Sequence, residues 1–456
     1  VAVGVGQQFE NANAFRRDWD LQRSLFWQMA WRMPGLEPGT TLLMNETDAL
    51  AYYTDNSLTA PLNWFYAPEN TSPQMSFLLL FPSQRLGKSL SGLTTGLPID
   101  VNYLAASFHG STSQVVAVYY DPPACLRHFG TTWMLVSKAG AAFVMDVGSN
   151  NIVQQLKKLL ERGEIKSVEA MWVTHYHFDH TDGIPLFQKE FDCPCITDRR
   201  LADVISNPRA WRLPCLAPET SRVHRPMEDG QSWEWQEFKL TSYFYPGQTL
   251  YHAALLVEGE GLRMFFVGDS HTMSGIDDYC AQNRNFLGRG VGFQYCLSLI
   301  EKLQPTHIFN CHVNPAFTFT PEEIRFMRET LDEREKRFGA LVPWEHANYG
   351  MDESWVRCFP YTQQAQASQR VKLEVIVTNH APAAQATACR AVLPTAWGGK
   401  ATDWTSADVP AKSEKPLTLT LPIPAGVPAG RYVVPIDVKH GPWDLPQFAE
   451  AIVDVS

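Results

Sequence analysis

The segment His175-Tyr176-His177-Phe178-Asp179-His180 constrains this chain more than any other feature. Its three imidazoles and one carboxylate are the ligands that zinc and similar divalent ions prefer. Alternate residues of an extended chain point the same way, so His175, His177 and Asp179 converge on one side, while His180 faces a neighbouring point. An apolar stretch at 171–174 precedes the segment and is predicted to be a buried strand. The sequence therefore predicts a loop at a strand end that supplies ligands to two metal positions.

The central region, residues 126–360, alternates between strand and helix patterns. Strands are predicted at 134–136 and 142–146, and a helix with an apolar face is predicted to start at Asn150. Two further apolar strands lead into Gly268-Asp269 and His312. Thr320-Pro321-Glu322-Glu323 is a capping box that predicts the start of another helix, which Gly339 is expected to end. This alternation is typical of an α/β domain.

The regions before and after the central one have different secondary-structure patterns. Residues 1–125 combine one amphipathic segment with short strand patterns, which predicts a small α+β domain. Residues 366–456 alternate at period two, as in Val371 to Val377, and predict an all-β sandwich. That region resembles the immunoglobulin-like modules appended to many bacterial extracellular enzymes. The expected molecule is therefore a multi-domain α/β protein.

Several motifs of the central region resemble those of the metallo-β-lactamase fold superfamily. The segment from His175 to His180 matches the superfamily signature, and Asp146-Val147-Gly148, Gly268-Asp269-Ser270 and His312 follow in the expected order. The resemblance implies an αββα sandwich, with two mixed sheets and helices outside. It also implies a set of ligands: His175 and His177 for a first metal, Asp179, His180 and His312 for a second, Asp269 as a bridge, and Asp146 as an orienting partner.

The third motif of this superfamily differs in the present chain. The superfamily places a histidine after Pro-Gly, whereas this chain has Gln248 after Pro246-Gly247, with His252 four residues further on. A helical turn would put these two positions on one face, and we predict that His252 completes the first metal position. Two alternatives stay open: Gln248 binds through its amide oxygen, or the first metal is held loosely or not at all.

The resemblance implies a hydrolase with two zinc ions, in which a metal-bound hydroxide attacks an ester, amide, lactone or phosphoester. Asp179 would also handle the proton of the nucleophile. His271 and Asn314 are further catalytic candidates, the first lining the pocket and the second donating to a developing oxyanion. A small-molecule or ester-type substrate is expected, but fold alone does not select it.

Two other functions are compatible with the same fold. Redox relatives with two irons usually place a glutamate where His177 stands in this chain. A non-catalytic binding protein would retain the fold without turnover, and Gln248 is the departure that supports it.

Charge and hydropathy limit the remaining possibilities. The formal net charge of −10 argues against nucleic acid as a partner, because nucleic-acid phosphates bind to clusters of Lys and Arg. No apolar run reaches the roughly 20 residues of a membrane-spanning helix. Val1 to Gly6 are apolar and small, which fits a removed signal, a membrane tether upstream of residue 1 or an ordinary terminus. We expect a periplasmic or secreted protein, and the sequence does not predict its oligomeric state.

Overall fold

A computed structural model describes residues 32–43, 55–70, 76–80, 118–277 and 283–456, with separate helical positions between 16 and 30. Most of the predicted N-terminal domain, residues 1–125, lies outside the described residues. Its described elements include strand β1 (Thr41–Leu43), helix α1 (Asp55–Tyr66) and strand β2 (Leu78–Leu80), with β1 and β2 paired in parallel. No helix among the described residues combines the length and apolar character needed to cross a membrane.

The central region is built on two sheets. One has six strands in the order β4-β5-β6-β7-β8-β9, and the other has seven in the order β10-β11-β12-β13-β16-β17-β3. The strands of these two sheets are β3 (Val118–Tyr120), β4 (Leu126–Phe129), β5 (Thr132–Val136), β6 (Ala141–Met145), β7 (Ser167–Trp172), β8 (Cys195–Asp198), β9 (Arg225–Met227), β10 (Ser232–Trp235), β11 (Phe238–Phe244), β12 (Ala253–Gly259), β13 (Leu262–Phe266), β16 (His307–Phe309) and β17 (Ala316–Thr318). Strands β14 (His271–Thr272) and β15 (Gly275–Ile276) form a separate two-stranded sheet.

Helices cover the outer faces of both sheets, which confirms the predicted αββα sandwich. Trp133, Trp172 and Phe266 belong to the apolar core between the sheets. Separate cores join each sheet to its own helices. The helices are α2 (Asn150–Glu161), α3 (Phe178–Thr181), α4 (Ile184–Phe191) and α5 (Arg199–Ser206) on the first sheet's side, and α6 (Gly292–Leu303) and α7 (Pro321–Leu341) on the second.

Local sequence accounts for the buried face of α2 and for the start of α7, but it misplaces the end of α7. Helix α2 buries Ile152, Leu156 and Leu159, which recur at helical spacing. Helix α7 starts at the predicted capping box, in which the Thr320 side chain accepts from the Glu323 backbone N–H. The prediction that Gly339 ends α7 is wrong, because the helix continues to Leu341.

The C-terminal region is rich in sheet. A three-stranded sheet, β18-β20-β23, and a five-stranded sheet, β19-β25-β24-β21-β22, share one apolar core. Strands β18 and β19 join these sheets ahead of the predicted boundary at residue 366. The elements are helix α8 (Asn348–Met351) and strands β18 (Val356–Phe359), β19 (Thr362–Ala365), β20 (Arg370–Asn379), β21 (Gln385–Ala391), β22 (Thr405–Val409), β23 (Ser413–Pro422), β24 (Gly430–His440) and β25 (Trp443–Val455).

Candidate metal centre

Two parallel strand pairs, one in each central sheet, bring the polar motifs together. Strands β6 and β7 are parallel neighbours in the first sheet, and β13 and β16 are parallel neighbours in the second. Parallel neighbours end at the same edge of a sheet, and ligand sites of α/β proteins gather at the carboxyl ends of such strands. Asp146 follows β6, the histidine segment follows β7, Asp269 follows β13 and His312 follows β16. The four motifs therefore meet at one edge of the sandwich.

Asp269 lies at the centre of two overlapping clusters. Its Oδ2 is 3.1 Å from His312 Nε2, 3.2 Å from His180 Nε2 and 3.7 Å from His175 Nε2. One cluster has metal-ligand spacing and contains Asp179, His180, Asp269 and His312; the other contains His175, His177 and Asp269. This grouping agrees with the predicted second position, first position and bridging aspartate. The ligand assignments themselves stay predictions.

The buried carboxylate of Asp146 contacts the predicted ligand His180 and the residue before the histidine segment, Thr174. Asp146 is fully buried, and its oxygens accept from the Thr174 backbone N–H and hydroxyl, each at 2.7 Å. His180 Nδ1 lies 3.0 Å from Asp146 Oδ2, which leaves His180 Nε2 directed at Asp269. Gly148 allows this loop to approach closely, since a Cβ there would lie 1.6 Å from the Asp179 carbonyl oxygen. Asp146 thus makes the contact expected of an orienting partner.

Replacing Asp146 with asparagine should weaken metal binding at the second position about 10–100-fold, because His180 loses the charged group that orients its ring. Competition titration with a chelator measures this affinity. Asp203→Asn, at an exposed position of α5, is the matched control. An unchanged affinity in Asp146→Asn would show that the contact with His180 does not orient a ligand.

The electrostatics differ between the two clusters. Burial, reinforced by the neighbouring histidines, lowers the pKa of His175 well below its usual value, and burial also lowers the pKa of His177. Burial lowers the pKa of His180 as well, but the charge of Asp269 and hydrogen bonds to Asp146 and Asp269 outweigh it, so that this pKa is raised well above normal. Hydrogen bonds to Asp179 and Asp269 raise the pKa of His312 to about 10. The neutral imidazoles of His175 and His177 suit a divalent cation. At the other position, a metal would have to displace the protons that the carboxylates hold on His180 and His312.

Unpaired buried atoms also fit a metal at this edge. Among the described residues, His175 Nε2 and Asp269 Oδ1 are buried without a hydrogen-bond partner. Buried polar atoms are rarely left so, and an ion is one of the partners that satisfies them. The donor set of imidazole and carboxylate is the one that zinc prefers. The residues present therefore fit the metal that the sequence predicts.

The third motif lies against the turn that carries Asp269. Gln248 is 2% exposed; its backbone N–H donates to Ser270 Oγ at 3.1 Å, and its Oε1 has no partner among the described residues. The His252 ring is stacked on His175 with centroids 4.8 Å apart, and its Nε2 is 3.3 Å from Ser270 Oγ. Within the described part of the chain, neither compact cluster includes His252. Its predicted role as a ligand stays a prediction.

The remaining catalytic candidates lie in contrasting surroundings. His271 is fully buried, with Nδ1 3.0 Å from the Tyr245 hydroxyl, and burial lowers its pKa to about 3. Asn314 is exposed and follows His312 by two residues. Neither side chain belongs to the two clusters around Asp269, and both catalytic roles stay predictions.

Sequence reasoning missed two groups near the clusters. Cys311 forms a third group with metal-ligand spacing, together with Asp146 and His180. Cys311 Sγ lies 3.1 Å from Asp146 Oδ2, and its position next to His312 was the available signal. Asn283 Oδ1 lies 3.3 Å from His177 Nε2, but no local pattern marks it.

Comparison with known proteins defines the class of the central region. Residues 126–279 match the family model described as the metallo-beta-lactamase superfamily, so this part of the chain is a domain of that superfamily.

Individual relatives are distant. The lactamase-like protein nscB of Aspergillus fumigatus is 26% identical over 161 residues, or 35% of this chain and 43% of that protein. The lactamase-like protein vrtG of Penicillium aethiopicum is 23% identical over 193 residues, or 39% of this chain and 56% of that protein. The chain thus spans about half the length of these curated relatives.

Among solved structures, similarity was found to a metallo-β-lactamase of Cronobacter sakazakii, at 15% identity and a TM-score of 0.36, covering 49% of this chain and 97% of that one. A native metallo-β-lactamase of Legionella gormanii gave 13% identity and a TM-score of 0.36, covering 49% of this chain and 98% of that one.

Proposed function

We propose that this protein is a zinc-dependent hydrolase with two metal positions that acts on a small molecule with an ester, amide, lactone or phosphoester bond. The observation that carries the proposal is the pair of clusters that share Asp269. His175 and His177 would hold the first ion, Asp179, His180 and His312 the second, and Asp269 would contact both. Divalent ions in such a site lower the pKa of water and polarise the substrate oxygen.

The exposure of the ligands supports one direction of substrate access. The side chains of His175 and His180 are fully buried, whereas those of Asp179 and His312 are 37% and 47% exposed. Phe178, next to Asp179, is an exposed aromatic residue. A substrate would therefore approach past Asp179 and His312, with an apolar group against the Phe178 ring.

Asp179 is the residue best placed to handle a proton. Burial raises its pKa, but the hydrogen bond from His312 and the charge of His180 outweigh this effect and lower the pKa below its usual value. Its carboxylate is therefore ionised at neutral pH and partly open to solvent, so that it can accept a proton from the attacking water. No serine or cysteine nucleophile is needed in this scheme.

Replacing His177 with alanine should remove metal from the first position and hydrolysis together, because the buried imidazole is a predicted ligand. The first measurement is zinc content by mass spectrometry after reconstitution. The second is hydrolysis of chromogenic ester, β-lactam and phosphodiester substrates. Wild-type metal content in this variant would contradict the ligand assignment.

Iron with a visible absorption band in the wild-type protein would favour the two-iron alternative. Two zinc ions without hydrolysis of any class would favour a binding protein.

A further inference from the structure

We propose that Asn283 supplies the fourth side chain of the first metal position, beside His175, His177 and the shared Asp269. This inference rests on the proposed function, because it requires an ion at that position. It replaces neither Asp269 nor the predicted ligands of the second position. This chain lacks the superfamily's histidine ligand after Pro-Gly, and Asn283 would take its place instead of His252 or Gln248.

The position of the Asn283 amide supports a role as ligand. Asn283 is fully buried, and its Oδ1 lies 3.3 Å from His177 Nε2. Two ligand atoms that are each about 2.0–2.1 Å from a tetrahedral zinc ion lie roughly 3.3 Å apart. The same Oδ1 accepts from the Tyr176 hydroxyl at 2.5 Å, and an amide oxygen has a second lone pair to offer. Asn283 Nδ2 is buried with no hydrogen-bond partner among the described residues.

The two candidates from the third motif contact the turn that carries Asp269. His252 packs beneath the turn that carries Asp269: a Cβ at Gly268 would lie 2.6 Å from the His252 ring, and its Nε2 faces Ser270 Oγ. Gln248 is bound through its backbone, since its carbonyl oxygen accepts from Asn285 Nδ2 at 2.6 Å. His252 Nδ1 and Gln248 Oε1 are themselves buried without a partner among the described residues, so metal binding has to be compared for all three side chains.

Residues 283–285 form a strap that connects this site to the C-terminal region. On one side, the Leu250 backbone N–H donates to the Asn283 carbonyl oxygen at 3.1 Å, which ties the strap to the third motif. On the other side, the guanidinium of Arg284 is 1% exposed and donates to groups from both regions. Its acceptors are Tyr251 Oη at 2.9 Å, Asp352 Oδ1 at 2.9 Å and Oδ2 at 3.0 Å, Thr378 Oγ1 at 3.1 Å and Glu414 Oε1 at 2.9 Å.

This anchoring explains how a distant residue can serve as a ligand. All three guanidinium nitrogens of Arg284 find acceptors because the central and C-terminal regions meet around it. Asn283 is the preceding residue, so its backbone is held at a defined distance from His177. Ligands need such fixed positions to hold a metal tightly. In this arrangement the C-terminal sandwich helps to build the metal site as well as packing beside it.

The test is a comparison of zinc and cobalt binding among single variants of the full chain. Wild type, Asn283→Ala, Asn283→Asp, Gln248→Ala and His252→Ala are stripped with chelator and reloaded with Zn²⁺ or Co²⁺ alone. Zinc equivalents are counted after desalting, affinity is measured by chelator competition, and the Co²⁺ absorption spectrum reports the ligand set. Asn151→Ala, at an exposed position of α2, is the control.

We expect Asn283→Ala to lose one of the two zinc equivalents, or to bind it at least about tenfold more weakly. Asn283→Asp should keep both equivalents and change the Co²⁺ spectrum, because a carboxylate replaces an amide in the first position. If Asn283→Ala does not fold, the spectrum of Asn283→Asp decides the question. Two zinc ions at wild-type affinity in Asn283→Ala, an unchanged spectrum in Asn283→Asp, or a zinc loss confined to His252→Ala or Gln248→Ala would overturn this inference. Failure of the wild type to bind zinc would instead overturn the proposed function.

Discussion

Replacing Asp269 with alanine should abolish hydrolysis and lower the affinity of both metal positions. Its Oδ2 is the atom that the histidines of the two clusters share, so its removal takes a negative charge from each. Metal ions contribute several kcal/mol to stabilising a transition state, which corresponds to a loss in kcat/KM on the order of 10³-fold or more. Zinc content and steady-state kinetics on whichever chromogenic substrate the wild type hydrolyses would measure the effect.

A matched variant separates this effect from a general loss of charge. Asp408→Ala removes a carboxylate at an exposed position of β22 and should leave metal content unchanged. Two tightly bound zinc ions in Asp269→Ala would mean that the two positions do not share a ligand. In that case the clusters around Asp269 would be a hydrogen-bonded network with no bridging role.

Replacing Arg284 with methionine should be the most destabilising change of a charged residue in the described chain. The variant leaves Asp352, which is fully buried, without the cation that holds its pKa well below the usual value. Removing one partner of a buried ion pair typically costs about 3–5 kcal/mol. Chemical denaturation should therefore show a clear fall in the midpoint, and zinc affinity at the first position should fall with it if Asn283 is a ligand.

The surface pair of Arg431 and Asp454 provides the contrast. Arg431 is 65% exposed, so Arg431→Met should lower the denaturation midpoint far less than Arg284→Met does. Adding Asp352→Leu to Arg284→Met should recover part of the lost stability, since the uncompensated buried charge is then gone. Equal effects of Arg284→Met and Arg431→Met would contradict the claim that burial makes the Arg284 cluster important.

The layered fold was predictable because its signals are local. The apolar face of α2, the capping box before α7 and the apolar strands before each polar motif act over a few residues. The end of α7 was not predictable in the same way, because a glycine in a helix costs only about 1 kcal/mol and packing can offset that. Strand β3 pairs with the central sheet, and β18 and β19 pair with the C-terminal sheets, so these strands cross the predicted domain boundaries. Strand pairing depends on the tertiary fold and is not visible in local sequence.

Most residues of the candidate metal centre could be predicted from the sequence, through its resemblance to a known superfamily. Ligand-type residues from His175 to His180 are adjacent in the chain, and Asp146, Asp269 and His312 each follow a strand that can be recognised from its apolar run. Strand order, which local patterns do not specify, then brings those ends to one edge.

The side chain beside His177 could not be predicted from the sequence. Asn283 carries no motif, and its place depends on Arg284, whose acceptors Asp352, Thr378 and Glu414 are far along the chain. A buried guanidinium is stable only where several acceptors converge, and such convergence arises from the packing of two regions against each other. No periodicity or spacing within the sequence records that kind of contact.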